Sequence, residues 1–255
     1  MRLWSTGVIM NFVGLGPGFQ AQAFSSPSID TTNLIGNFDP TTGINTNYWD
    51  NQVGGGKNLR RFNGISHNNS TPHNFAFDGT NDYFGQAESG YGGDAFYIDN
   101  GGDFSIGQWF KHANNKKHII LTLNYSDSDV FLIEIGHTNN NRIRIVADSN
   151  KDMNYVFQDG TWYYVGISHN QTPGVTKLYI NGAYEEQVSN TQTNVGDCVA
   201  MIGKEAANNV YSGSGIKLAH THIYEREVSG KTFRDNYLST HKPKTDLIYG
   251  TDFTR

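Results

Sequence analysis

From Pro27 onward, apolar and polar positions alternate in short runs and do not recur every three or four residues. That period predicts strands joined by turns. Arg142-Ile-Arg-Ile-Val146 shows it most cleanly: Ile143 and Ile145 fall on one face, Arg142 and Arg144 on the other. The run at 103–110 places Phe104, Ile106 and Gln108 together, and further strands are predicted at 119–125, 130–135, 161–168, 199–202 and 216–224. Residues 175–188 read as a hairpin about Asn181-Gly182, because a two-residue turn of that kind needs positive φ at both positions. Residues 75–84 read as two short apolar stretches joined by an Asp78-Gly79 turn. The one convincing helix is short, from Ser229 to Tyr237, with Ser229 as its cap.

No repeat or linker divides residues 28–245, so they are expected to form one domain. The fold class this implies is all-β: a two-sheet antiparallel β-sandwich with a short C-terminal helix, flanked by an extended N-terminal arm (1–27) and a C-terminal tail (246–255). The arm lacks any regular period but carries Trp4, Phe12, Phe19 and Phe24. Large apolar rings are costly to leave in water, so these four are the candidate partner-binding residues, docking on the body or on a neighbour. The stretch ending at Ala21-Gln-Ala23 superficially resembles a cleavable leader, but polar residues, glycines and Pro17 interrupt it, and an uncleaved arm is expected.

Composition narrows the partners. The 255 residues include 28 Asn and 29 Gly, poor helix formers and good turn formers, which disfavours helical bundles. The 33 aromatics supply a core and argue against disorder. Net charge is −5, and no Lys/Arg cluster exceeds a pair, so nucleic acid is not an expected partner. No apolar run approaches the roughly 18 residues of a membrane span. A single cysteine, Cys198, excludes an internal disulfide, and its apolar surroundings suit a buried structural residue.

Four segments in order resemble the laminin-G-like jelly roll of the concanavalin A-like lectin/glucanase superfamily. They are Phe104 to Phe110; Phe77-Asp-Gly-Thr-Asn-Asp-Tyr83 before it; Gly160-Thr-Trp-Tyr-Tyr-Val165 with Lys177-Leu-Tyr-Ile-Asn-Gly182; and Gly215-Ile-Lys-Leu-Ala-His-Thr-His-Ile-Tyr224 followed by Val228-Ser229. The match spans roughly residues 30–240 and resembles domains encoded among bacteriophage virion structural proteins. It implies a fold and leaves the ligand open.

The superfamily includes glycoside hydrolases, whose acid and nucleophile alternate on one strand. No E-x-D-x-E or E-x-D-x-x-E string occurs. The nearest are Asp127-Ser-Asp129, Glu185-Glu186 and Glu225-Arg-Glu227, so no catalytic residue is assigned and no enzyme is expected. No cofactor is expected either. Calcium is the one alternative, since relatives hold it at the sandwich rim, and Asp94, Asp99 and Asp103 are its candidate ligands. The closing strand, however, has Ala219 and His220 where the family often carries acids. His220 and His222 share a strand face and can in principle chelate a transition metal, with no third ligand identifiable. The chain is therefore expected to be a non-enzymatic virion protein of a bacteriophage: a capsid decoration, fibre or tail appendage. Its expected partners are other virion proteins, copies of itself and a host-surface glycan. The alternative is a secreted bacterial lectin module.

Overall fold

The computed structural model describes residues 27–85, 96–99, 101–113, 115–125, 128–136, 141–190, 196–205 and 207–240. Trp4, Phe12, Phe19 and Phe24, Asp94, Asp127 and the tail lie outside them. In chain order the first strands are β1 (Leu34–Phe38), β2 (Tyr48–Trp49), β3 (Leu59–Phe62), β4 (Ser66–Asn68), β5 (Asn74–Ala76), β6 (Tyr83–Gly85) and β7 (Tyr97–Asp99). Next come β8 (Phe104–Lys111), β9 (His118–Tyr125), β10 (Ser128–Ile135), β11 (Arg142–Val146), β12 (Asn150–Val156) and β13 (Trp162–Asn170). The last are β14 (Val175–Ile180), β15 (Ala183–Ser189), β16 (Asp197–Met201), β17 (Lys204–Glu205), β18 (Val210–Tyr211) and β19 (Lys217–Tyr224), followed by helix α1 (Gly230–Ser239).

Two antiparallel sheets face each other. The larger runs β15-β14-β13-β8-β19-β5-β4, with β1 also on β19, and the smaller runs β12-β11-β10-β9-β16-β7. Pairing of the first strand with the last, Phe38 opposite Thr221, closes the sheet over the longest sequence separation. Phe104, Ile106 and Phe110 from one sheet meet Leu121, Leu123, Phe131, Ile133, Ile143 and Ile145 from the other in a single buried cluster. The expected turn is present: Ile180 pairs with Ala183 around Asn181 and Gly182, at φ 52° and 82°. Cys198 is buried.

Residues 75–84 do not form a hairpin. β5 pairs with β19 and β4 in the larger sheet, whereas β6 pairs with β3 in a separate three-stranded sheet with β2. The turn between them carries the chain across: the Asp82 carboxylate accepts the Asp78 N–H at 2.9 Å. Strand propensity was legible there, but pairing is a long-range choice.

The sheet edges β12 and β15 lie on the same side of the sandwich. Glu186 of β15 accepts the Asn154 and Tyr155 N–H groups of β12 at 2.6 and 2.9 Å, so a carboxylate occupies part of an edge that would otherwise be open for pairing.

The larger sheet also carries a second buried cluster on its outer face, where Trp109, Tyr164, Tyr179 and Tyr224 meet Phe233 of α1. Ser229 caps that helix, its side chain accepting from Thr232 N. The Trp109 indole donates to Thr240 Oγ1 at 2.9 Å, and Asn236 Nδ2 donates to the Tyr224 hydroxyl at 2.8 Å. These bonds fasten the short helix at its far end. Among the described residues no helix is long and apolar enough to cross a membrane.

Candidate functional site

With Ile133, Ile135, Ile143, Ile145, Leu121 and Leu123 in the core, strand alternation turns Glu134, Arg144, Thr122 and Asn124 to the outer face of the six-stranded sheet. The small β17–β18 hairpin is laid over this face. Thr122 Oγ1 donates to the Lys204 carbonyl at 2.6 Å, and the Ala207 N–H donates to Asp129 Oδ2 at 3.0 Å. Asp129 Oδ1 in turn accepts from Asn124 Nδ2 at 3.1 Å.

An ion triad sits at the centre. Lys117 Nζ lies 2.5 Å from Glu134 and 2.7 Å from Glu205, and Asn208 Nδ2 donates to the other Glu205 oxygen. Burial works against the Lys117 charge, but the Glu134 and Glu205 carboxylates outweigh it and raise its pKa. Arg144, bonded to Asp152 at 2.7 Å, continues the charged row across β11 and β12. At the other end is an aromatic group: Phe62 stacks on Tyr83 with centroids 4.4 Å apart, and Tyr97 and Tyr211 join them over Val199 and Met201. The buried Lys204 ammonium lies 4.9 Å above the Tyr83 ring and 5.6 Å above that of Tyr211. Rings, amides and charged groups are thus held in fixed positions by one another.

The residues singled out from the sequence fare differently. Asp129 belongs to this face. Glu186 ties the sheet edges, and Glu227 is bonded to Lys177 at 2.6 Å and to Asn170 Nδ2 at 2.7 Å. Glu225 has its pKa raised by partial burial and by Asp197 and Asp99 nearby. His220 and His222 do share a face, with parallel rings 5.8 Å apart. His220 is engaged by Asp39 at 3.3 Å, and His222 is fully buried against the Tyr164 hydroxyl at 3.3 Å. Asp99 accepts the Gly101 N–H two residues on at 2.8 Å, and Asp103 accepts the distant Gln171 N–H at 2.9 Å. Among the described residues no three His, Cys, Asp or Glu side chains are arranged to hold a metal ion.

Glu134, Lys117, Glu205 and Tyr211 were not found by motif. The one signal in the sequence is the acid at 134 inside the apolar run 130–135, where strand alternation turns the side chain away from the core.

A family model described as the concanavalin A-like lectin/glucanases superfamily matches residues 78–232. No curated protein matches the sequence. Among solved structures, Trypanosoma rangeli sialidase in complex with a difluorinated nononic acid is similar over 92% of this chain and 37% of its own, at 14% identity and TM-score 0.61. The binding domain of botulinum neurotoxin DC, in complex with rat synaptotagmin II, is similar over 80% of this chain and 51% of its own, at 16% identity and TM-score 0.57. A botulinum neurotoxin type C structure, whose cell entry depends on two ganglioside molecules, is similar over 80% and 50%, at 16% identity and TM-score 0.56. The chain thus spans about a third to a half of these proteins. At such identities the likeness shows the fold alone.

Proposed function

The chain belongs to the concanavalin A-like lectin/glucanases superfamily, and on that premise we propose that it is a non-enzymatic glycan-binding module. The observation that supports this most is the pre-organised outer face of the six-stranded sheet. Sugars are recognised by aromatic faces against their C–H surface and by fixed carboxylates and amides that bond their hydroxyls. Tyr211 and Tyr97 supply rings, while Asp129, braced by the buried Asn124, and Asn208 supply carboxylate and amide groups already held by their neighbours. Pre-bracing matters because a side chain that is already ordered loses little entropy when a ligand arrives.

The same geometry argues against hydrolysis. A retaining glycosidase needs two carboxyl groups roughly 5–5.5 Å apart with the glycosidic oxygen between them. Here the Lys117 ammonium stands between Glu134 and Glu205, in the place that the scissile oxygen would need.

In the finer reading the module is carried on a bacteriophage particle, as a capsid decoration, fibre or tail appendage, and meets host-surface glycans. Support comes from the sequence: low charge, and four large apolar rings, Trp4, Phe12, Phe19 and Phe24, gathered in the first 27 residues. Two measurements test the proposal. On a glycan array, the full chain should bind a defined subset, and Tyr211→Ala should weaken that binding at least about tenfold, equivalent to ~1.4 kcal/mol, while the protein stays folded by circular dichroism at the assay temperature. Unchanged binding by Tyr211→Ala would remove this face from consideration. Separately, density-gradient sedimentation of the source material should place the chain with intact particles. Recovery in the free protein fraction alone would overturn the virion placement and leave the lectin reading standing.

A further inference from the structure

A second recognition surface lies on the opposite sheet. In β14, Leu178 and Ile180 enter the core, so Lys177 and Tyr179 point outward. Tyr179 is directly opposite Tyr184 of β15, and Lys177 is opposite Gln187. The two tyrosine rings meet edge to face, with centroids 5.7 Å apart and planes at 70°. Tyr179 is buried, held between Tyr184 and Phe233 of the helix, whereas Tyr184 is 54% exposed. Beside them Glu227 is clamped by Lys177 and Asn170.

A lone exposed aromatic on a protein surface is ordinary. Tyr184 differs because its ring is braced from beneath by a second ring that is itself fixed by the helix, and because donors and acceptors stand ready on the same face. Lys177 and Tyr179 stand two residues apart on the same face of β14, opposite Gln187 and Tyr184 of β15, which places rings and polar row in one patch. Lys177 and Glu227 neutralise each other, so the patch offers directed hydrogen bonds without a net charge.

We propose that Tyr184, with Tyr179, Lys177, Glu227 and Asn170, forms a second glycan site that takes neutral hexopyranose units. The sugar's C–H face lies on the Tyr184 ring and its hydroxyls bond the Lys177–Glu227–Asn170 row. Net neutrality disfavours sialylated or sulfated sugars, which would leave a charge without its own counter-charge. This site stands on its own geometry and does not depend on the face of the six-stranded sheet. If both operate, one chain carries binding surfaces on its two opposite sheets, and contact with a dense glycan layer gains through effective concentration.

The test titrates the full chain, labelled on its tyrosine rings, with methyl glycosides of glucose, galactose, mannose and N-acetylglucosamine, and with sialyllactose. At least one neutral glycoside should shift the Tyr184 and Tyr179 ring resonances, and Tyr184→Phe should retain most of the affinity. Tyr184→Ala should weaken it tenfold or more. Tyr211→Ala should leave these shifts unchanged. Three results overturn the proposal: no shift of these resonances with any neutral glycoside, a response to sialyllactose alone, or affinity unaffected by Tyr184→Ala. Binding lost in Tyr211→Ala and kept in Tyr184→Ala would uphold the first face and reject the second; the reverse pattern would do the opposite.

Discussion

Acidification from about pH 7 to about pH 4.5 should cost the folded protein about 5 kcal/mol through two histidines alone. His118 and His222 are completely buried, and burial lowers each pKa from 6.5 to about 3. His118 is bonded to Gln108 Oε1 at 3.0 Å and approaches Ser212 Oγ at 3.3 Å, while His222 meets the Tyr164 hydroxyl. His112 adds a further lowering to His118, as His220 does to His222. Because the folded values lie below the unfolded ones, the neutral form is the native form. Stability is fully present above about pH 6.5 and is lost as pH falls, since only the unfolded chain takes up the protons. Each histidine then costs about 2.5 kcal/mol at pH 4.5. Asp39 does not contribute in this window, because its partner His220 holds its pKa well below the usual carboxylate range against the effect of burial. Glu225, shifted upward, works in the opposite sense and is small because it is only partly buried. Urea unfolding at the two pH values should show the loss, and His222→Phe should reduce it by about 2.5 kcal/mol. Equal stability at both pH values would mean that these imidazoles are hydrated or open in solution.

Those histidines also illustrate what the sequence did and did not make legible. The alternation His220-Thr-His222 correctly predicted a shared face, yet it could not reveal that helix α1 and its neighbours would bury that face. The same limit applies to Trp109 and Tyr164. Their strands read as sandwich strands from periodicity alone, but both faces are buried, the inner by the opposing sheet and the outer by Phe233. β11 was visible because isoleucine and arginine alternate on it, and the β14–β15 hairpin because Asn181-Gly182 has few other uses. β12, in contrast, runs Asn-Lys-Asp-Met-Asn-Tyr-Val and sends only Met153 fully inward. An edge strand needs little apolar sequence, so it leaves little pattern. The candidate face was still less legible. Lys117, Glu134 and Glu205 come from three separate segments and acquire meaning only when β17 is laid across β9. Local periodicity specifies elements, whereas a site assembled from side chains of distant elements is specified by pairing and packing.

Gly166→Ala should destabilise the protein by about 3 kcal/mol, lowering the melting temperature by about 6–12 °C for a chain of this size. Gly166 and Gly107 are directly paired on neighbouring strands β13 and β8, and together they leave a trough in the outer face of the larger sheet. The Phe233 ring of α1 fills it. A Cβ placed on Gly166 would stand 2.6 Å from Phe233 Cδ1, with two more ring atoms at 2.7 and 2.8 Å. No real carbon pair sits that close, so something has to move. The backbone of β13 is paired on both sides and cannot retreat, which leaves the helix. Lifting α1 strains the bonds that fasten it, Trp109 to Thr240 and Asn236 to Tyr224, and exposes part of the second cluster. The clash has a specific remedy, which separates it from a general loss of strand flexibility. Phe233→Leu shortens the intruding side chain, so in the Gly166→Ala background it should restore a large share of the lost stability, although alone it destabilises. A double-mutant cycle followed by thermal unfolding would measure that coupling, expected at about 1–2 kcal/mol. Simple additivity of the two substitutions would show that the helix does not rest on these glycines, and the second core would then have to be attributed to the aromatic side chains of β8, β13 and β19 alone.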